Sequence, residues 1–273
     1  MNKKSILSKT EQPTALKISS IKEEAQDIKT FTFNHKINAV PGQFVMLWIP
    51  RKGMKPFGIS RLDEKSFSVT VCNVGEFTNL LFEKKENDYL GVTGPYGNGF
   101  STGKKNPVLV AGGYGAAPLA FLAETLEKEG STITIVMGAK TQNNLAFTKR
   151  FKDTSIKVVY CTDDGSCGLH GFTTDVLKDI LTREKCDFIY TVGPEIMMKK
   201  VIEISDEHGT GCEASIERYM KCGFGICGQC CVDSTGERIC TDGPVYDKNY
   251  IKEKITEFGK YKRDVTGKKS SFQ

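Results

Sequence analysis

The stretch "NPVLVAGGYGAAPLAFLAETLEKEG" (residues 106–130) sets the fold class. It opens as a continuous apolar run, breaks at Gly112, Gly113 and Gly115, and resumes as an amphipathic run that Gly130 closes. That is the signature of a buried strand, a glycine turn and a helix. Val108 to Ala123 carries no charge. It is interrupted by three glycines and Pro118, however, and is shorter than the ~20 residues a membrane-spanning helix needs. Downstream, "TITIVMG", "IKVVYCTDDG" and "CDFIYTVGP" read as strands, while "NNLAFTKRF", "FTTDVLKDILTRE" and "EIMMKKVIEISDEHG" read as helices. Repeated strand–helix units predict a parallel sheet covered by helices, placed at residues 104–211.

Working upstream, residues 14–100 are built differently. "TFTFNHK" and "SFSVTVCN" alternate, the latter with Phe67, Val69 and Val71 on one face. "PGQFVMLWIP" is a turn followed by an apolar strand that Pro50 stops. Short strands punctuated by Gly and Pro predict a small barrel or sandwich. Composition suits a soluble globular protein, with 39% hydrophobic residues and charge throughout. The net charge of +5 does not imply a nucleic-acid groove. Residues 1–9 contribute +3 and residues 258–273 contribute +4, leaving −2 between them, so the basic excess is read as solvated ends. The lysines of residues 1–9 are not followed by an apolar core, so no secretory signal is expected. The expectation is a cytoplasmic protein, without membrane or nucleic-acid partners, whose ten cysteines are thiols or ligands.

Residues 217–230, "ERYMKCGFGICGQC", begin the most specific motif. Cys222, Cys227, Cys230 and Cys240 give C-x4-C-x2-C-x9-C, which matches the plant-type [2Fe–2S] spacing through its third cysteine. A cluster needs a loop wrapped tightly around it. Gly223, Gly225 and Gly228 allow positive φ and close approach. A hairpin turning at Ser234-Thr235-Gly236 would return the chain to Cys240. Structural zinc is the competing reading, but it usually takes two C-x2-C-type knuckles, and here only 227/230 forms one.

The glycine turn at 112–115 is a natural place for a dinucleotide, at the junction of a strand and a helix N-terminus. Taken alone it is weak: position 118 is proline, and no acid ends the next strand. A turn needed only for packing is the alternative. "TDDGSCG" (162–168) and "TVGPEIM" (191–197) end later strands of the same sheet, and ligands bind at that edge. "KPFGIS" (55–60) and "GEFT" (75–78) in the first lobe are candidate flavin contacts, with ordinary turn chemistry as the alternative. Lys140, after the second strand of the α/β lobe, is placed to accept a 2′-phosphate, which leaves NADP open beside NAD; the alternative is a surface lysine.

In this order, "KPFGIS", "GEFT", "GPYGNGF", "AGGYGAAP", "TDDGSCG", "GPEIMM" and "ERYMKCGFGICGQC" resemble the electron-transfer subunit of dihydroorotate dehydrogenase type B, an iron–sulfur flavoprotein of the ferredoxin-reductase-like superfamily. The resemblance runs from about residue 14 to 247. It implies a Greek-key FAD-binding barrel over 10–103, an NAD-binding Rossmann-like domain over 104–211, a [2Fe–2S] segment over 212–247 and a basic tail over 248–273. By motif, Lys55, Pro56, Phe57 and Ser60 would lie along the flavin, and Gly75 and Thr78 would hold the FAD diphosphate. Gly112, Gly113, Gly115 and Pro118 would line the NAD site, and Cys222, Cys227, Cys230 and Cys240 would ligate the cluster. The resemblance implies no catalytic side chains. It also implies an FMN-containing dihydroorotate dehydrogenase catalytic partner, two copies of each subunit, and a role in pyrimidine biosynthesis. Lys55 stands where the family usually has arginine and Gly58 where it has serine, which removes a bidentate fork and a hydroxyl. Similar subunits serve sulfite reductase, hydrogenase and transhydrogenase assemblies, and these are the nearest competitors. A colourless zinc-stabilised interaction module is the competitor from another class.

Overall fold

A computed structural model describes residues 12–271. The lysines at 3, 4 and 9 and the first residues of the expected barrel domain lie outside the described residues. The first lobe comprises β1 (Thr14–Ala25), β2 (Ile28–Phe33), β3 (Phe44–Ile49), β4 (Gly53–Leu62), β5 (Phe67–Cys72), α1 (Glu76–Phe82) and β6 (Tyr89–Tyr96). The strands close into an antiparallel barrel in the order β1-β2-β5-β4-β3-β6, a Greek key. The alternation of β5 holds: Phe67, Val69 and Val71 fill the interior with Ile18, Phe31 and Ile59. The other face of β5 is also covered. There Ser68 and Thr70 join a ladder of hydroxyls, Thr32 to Ser68 at 2.9 Å and Thr30 to Thr70 at 2.8 Å.

The second lobe runs β7 (Pro107–Gly112), α2 (Ala116–Lys128), β8 (Thr134–Ala139), β9 (Lys157–Thr162), β10 (Leu169–His170), α3 (Thr173–Arg183), β11 (Phe188–Val192), α4 (Glu195–Glu207) and β12 (Gly211–Ser215). After the cysteine segment come α5 (Ile239–Asp242), β13 (Val245–Asp247), α6 (Lys248–Lys254), β14 (Tyr261–Arg263) and β15 (Lys269–Ser271). The seven-stranded sheet has the order β10-β9-β8-β7-β11-β12-β13 and is parallel except for β13. Strand order reverses between β7 and β11. The turns 112–115 and 192–194 therefore flank the crevice where open α/β sheets bind ligands.

Three expectations change. The sheet does not stop at residue 211, because β12 and β13 extend it on either side of the cysteine segment. Residues 143–151 do not form an α-helix: Gln142–Asn144 make a single 3-10 turn, residues 148–153 are turns and Phe147 has φ 62°, while Leu145, Ala146 and Phe147 are held by burial. The basic C-terminal residues are not a free tail. Residues 261–271 form the β14–β15 hairpin, and Arg263 grips Asp233 through Nε at 2.7 Å and Nη2 at 2.8 Å.

Among the contacts that join the lobes, two stand at helix α2 and the turns after β8. Phe121 of α2 enters the barrel core. Arg150 donates to both carboxylate oxygens of Glu124 and, at 2.7 Å, to the carbonyl of Ser60 in β4. Helix α2 itself is seated by Gly115. Its backbone is ordinary α (φ −58°), so space and not φ demands glycine. A Cβ there would overlap the Val192 carbonyl at the end of β11. Gly115→Ala should therefore destabilise the fold by about 1–3 kcal/mol, read as a fall in the urea midpoint at unchanged slope.

Candidate cofactor cleft and cluster site

A cleft of about 780 Å³ opens where the two lobes, the residues leading into the cysteine segment and the C-terminal hairpin meet. Its wall takes Lys55–Gly58 from β4, Val74–Thr78 from the entry to α1, Tyr114, Gly115 and Pro118 from the glycine turn, Ser215–Met220 after β12 and Lys262–Val265 from the hairpin. The structure thus brings together Lys55, Pro56, Phe57, Gly75, Thr78, Gly115 and Pro118. Ser60 is elsewhere. Its hydroxyl is fully buried, donates to the Ser68 carbonyl and accepts from Thr70 at 2.9 Å, so it belongs to the barrel's hydroxyl ladder. Gly112 and Gly113 also lie off the cleft wall. A Cβ on Gly112 would press on Met197 and Pro194, a packing constraint, whereas Gly113 has φ 56° and open space in front of it. Of the glycine turn, Gly113 is the position whose backbone a dinucleotide could approach.

The contacts inside the cleft refine the motif residues. Lys55 donates to the Tyr219 hydroxyl at 2.7 Å with its ammonium 3.9 Å from the ring centroid, so a residue of the cysteine segment holds the cation in place. The Thr78 hydroxyl accepts from the amides of Val74 and Gly75, both at 2.9 Å, and donates to the Gly75 carbonyl. Thr78 therefore shapes the turn. Gly75 leaves it bare, since nothing lies within 4 Å of a Cβ built there. The place of the family's usual serine at Gly58 faces Pro118, 3.6 Å from a Cβ. Bare backbone at Gly75, aromatic Phe57 and Tyr219, and the cations Lys52, Lys55 and Lys262 suit a ligand that combines a flat ring system with a diphosphate.

Sequence reasoning missed Tyr114, Glu217 and Arg218 as site residues. The Tyr114 phenol donates to Glu217 Oε2 at 2.7 Å across the cleft. Glu217 is exposed to the cleft; the Tyr114 hydrogen bond and the charge of Lys262 favour its ionised form, and the surrounding protein works against it. The Glu217 charge, then burial, push the Tyr114 phenol up. Arg218 turns away from the cleft into the interior, where it pairs with Glu195 at the start of α4 and lies 3.9 Å from Glu257. All three side chains are at most 5% exposed. Burial raises the Glu195 carboxyl, against the pull of Arg218 and of the Gly259 amide that donates to it at 2.9 Å.

The cysteine loop follows immediately. Gly223, Gly225 and Gly228 all have positive φ, at 86°, 85° and 68°. The hairpin after Cys230 forms around Gly236, with Val232 N–H bonded to the Glu237 carbonyl at 2.8 Å and Ile239 N–H to the Cys230 carbonyl at 3.2 Å. It delivers Cys240 into α5. Cys222 lies beside Cys227 and Cys230 beside Cys240, as two neighbouring pairs. Two pairs suit a binuclear cluster with two thiolates per iron. One tetrahedral zinc would instead draw all four around one point. Cys227 and Ile226 are exposed at the loop tip, and Cys230 and Cys240 are buried.

The comparisons with known proteins agree with this geometry. The oxidoreductase NAD-binding domain matches residues 109–203, and the iron-sulfur cluster binding domain of dihydroorotate dehydrogenase B matches residues 217–252. A chain of an NADH-dependent reduced ferredoxin-NADP oxidoreductase, solved for its flavin-based electron bifurcation, superposes with a TM-score of 0.79 at 32% identity, covering 86% of this chain and 88% of that one. The fold is thus that of the FAD- and NAD-binding ferredoxin reductases, with an iron–sulfur segment at its C-terminal end. The probable dihydroorotate dehydrogenase B (NAD(+)) electron transfer subunit of Methanocaldococcus jannaschii is 50% identical over 95% of this chain and 98% of its own. That of Methanothermobacter thermautotrophicus is 40% identical over 94% and 97%. The chain belongs to the family of dihydroorotate dehydrogenase B electron transfer subunits.

Arg218→Ala would leave Glu195 and Glu257 buried without their cation and should cost about 3–5 kcal/mol, measurable by urea denaturation.

Proposed function

We propose that this chain is the electron-transfer subunit of a dihydroorotate dehydrogenase. It passes electrons between the FMN of a catalytic partner and NAD+, through its [2Fe–2S] cluster and FAD, in pyrimidine biosynthesis. The observation that carries the reading is the cleft itself. One cavity is walled by the barrel, the glycine turn of the dinucleotide lobe and the residues that run into the cysteine loop. FAD held there would exchange hydride with nicotinamide and single electrons with a cluster, which neither of those two can do for the other.

The chain's own residues do the placing. Phe57 and Tyr219 present aromatic surface to the ring system, and Tyr219 is oriented by Lys55. Gly75 offers bare backbone to the diphosphate, with Lys52 as a nearby cation; Thr78 fixes the turn. Gly113 and Pro118 border the dinucleotide crevice, with NAD preferred over NADP by the names of the family's relatives. Cys222 and Cys227 would hold one iron, and Cys230 and Cys240 the other. The exposure of Ile226 and Cys227 at the loop tip supports an approach of the partner's flavin there. The partner carries FMN, the assembly contains two copies of each subunit, and it works in the cytoplasm, where such thiols stay reduced. Among the described residues no helix is long and apolar enough to cross a membrane.

The test is a visible spectrum of the anaerobically purified chain. NADH should bleach both flavin and iron–sulfur bands, and dihydroorotate should bleach neither until the catalytic subunit is added. A catalytic subunit of a sulfite reductase or hydrogenase co-purifying in its place would overturn the partner assignment. Cys227→Ser should remove the iron–sulfur bands and leave flavin bleaching by NADH intact.

A further inference from the structure

The Tyr114–Glu217 pair does more than line the cleft. Three carboxyls stand on the cleft wall: Glu76, Glu217 and Asp264. Glu76 is 82% exposed and paired with Lys52. Asp264 is spent on its own turn, accepting from Thr266 and from the Lys268 amide. Glu217 alone of the three reaches across to another lobe, to a phenol on the turn beside the dinucleotide crevice. The groups that face the pair are Lys262 from the C-terminal hairpin, toward Glu217, and Cys72 at the end of β5, toward Tyr114. The neighbouring Arg218 guanidinium is committed to Glu195 and to the Glu217 carbonyl, not to the Glu217 carboxyl.

A cleft that receives hydride needs such a group. Hydride from NADH brings two electrons and one proton, and neutral reduced flavin requires a second proton. When the two electrons leave singly for the cluster, two protons must leave as well. Building on the reading that FAD occupies the cleft, we propose that the Glu217 carboxyl supplies that second proton on reduction and takes one proton back on reoxidation, the other leaving to solvent. Tyr114 is its positioning residue. The phenol holds Oε2 at 2.7 Å on the cleft wall. A carboxyl that stands on the cleft wall and is open to solvent can hand a proton to a ligand there and be recharged from water.

A mere structural tie between the two lobes would behave differently. Glutamine at 217 can still accept from Tyr114 but carries no exchangeable acid proton. The experiment uses the full-length, cofactor-loaded protein and begins with the wild-type visible spectrum. Wild type without flavin would sink the cleft reading and this proposal with it. With flavin present, the infrared difference spectrum between oxidised and dithionite-reduced protein should contain a carboxylic C=O band that shifts in D2O. Glu217→Gln should lack that band, and Glu217→Asp should keep one. NADH bleaching of flavin, followed by stopped flow, should slow roughly a hundredfold in Glu217→Gln and lose its pH dependence, and Tyr114→Phe should lie between. The same band in Glu217→Gln, or bleaching within about twofold of wild type at every pH, would show the pair to be a structural tie and overturn the proposal. If Glu217→Gln does not retain flavin, the Asp and Phe variants decide. A carboxyl band lost in Glu217→Asp, or unchanged in position and intensity in Tyr114→Phe, would count against it.

Discussion

Arg218 is the joint on which the rest of the structure depends. It comes three residues after the last residue of β12, where the sheet ends and the cysteine segment begins. Its guanidinium is buried between Glu195 at the head of α4 and Glu257 near the C-terminus. Glu257 also accepts from the Asp233 amide at 3.0 Å, and Asp233 in turn holds Arg263 of the terminal hairpin. One buried cation thus ties the dinucleotide lobe, the cluster loop and the C-terminal hairpin into a fixed arrangement. Burying an ion pair is seldom a source of net stability, because desolvation cancels most of the attraction. Its use here is geometric. It fixes the direction in which the chain leaves the sheet, and so the position of Glu217 and Tyr219 on the cleft wall.

The cleft follows from that placement. Closing the barrel presents β4 and the turn before α1 to the second lobe, and reversing the strand order between β7 and β11 opens a crevice opposite. Phe121 and Arg150 hold the two lobes together on the far side of α2. The cysteine loop interrupts the sheet between β12 and β13, which are antiparallel neighbours, so its base is anchored by strand pairing while its tip stays exposed. A chain built this way sets the barrel, the glycine turn and the residues that lead into the cysteine loop around one cleft. That arrangement is what a converter between paired and single electrons requires.

Much of this was legible in the residues. Period-two runs named the barrel strands, the strand–turn–helix repeats named the parallel sheet, and C-x4-C-x2-C with its glycines named the cluster loop. What escaped depended on distance along the chain. Tyr114 and Glu217 are 103 residues apart, and no local pattern announces their bond. β13 is three residues long and becomes a strand only because β12 offers it an edge. Ser60 was expected at the cleft because it ends a short motif on β4. The register shift between Ile59 and Arg61 lies at that position, and its hydroxyl joins the buried ladder. The glycines after β7 split by cause, Gly115 for close packing and Gly113 for backbone access, a distinction that requires knowing what lies opposite each one.

A binuclear cluster held by the four cysteines beside a flavin cleft fixes the cofactor content of the chain. Iron, acid-labile sulfide, zinc and flavin can be counted per chain in protein purified without oxygen. About two irons, two sulfides and one FAD per chain are expected, with no zinc. One zinc per chain with neither sulfide nor flavin, in protein shown not to have lost cofactors during preparation, would contradict it.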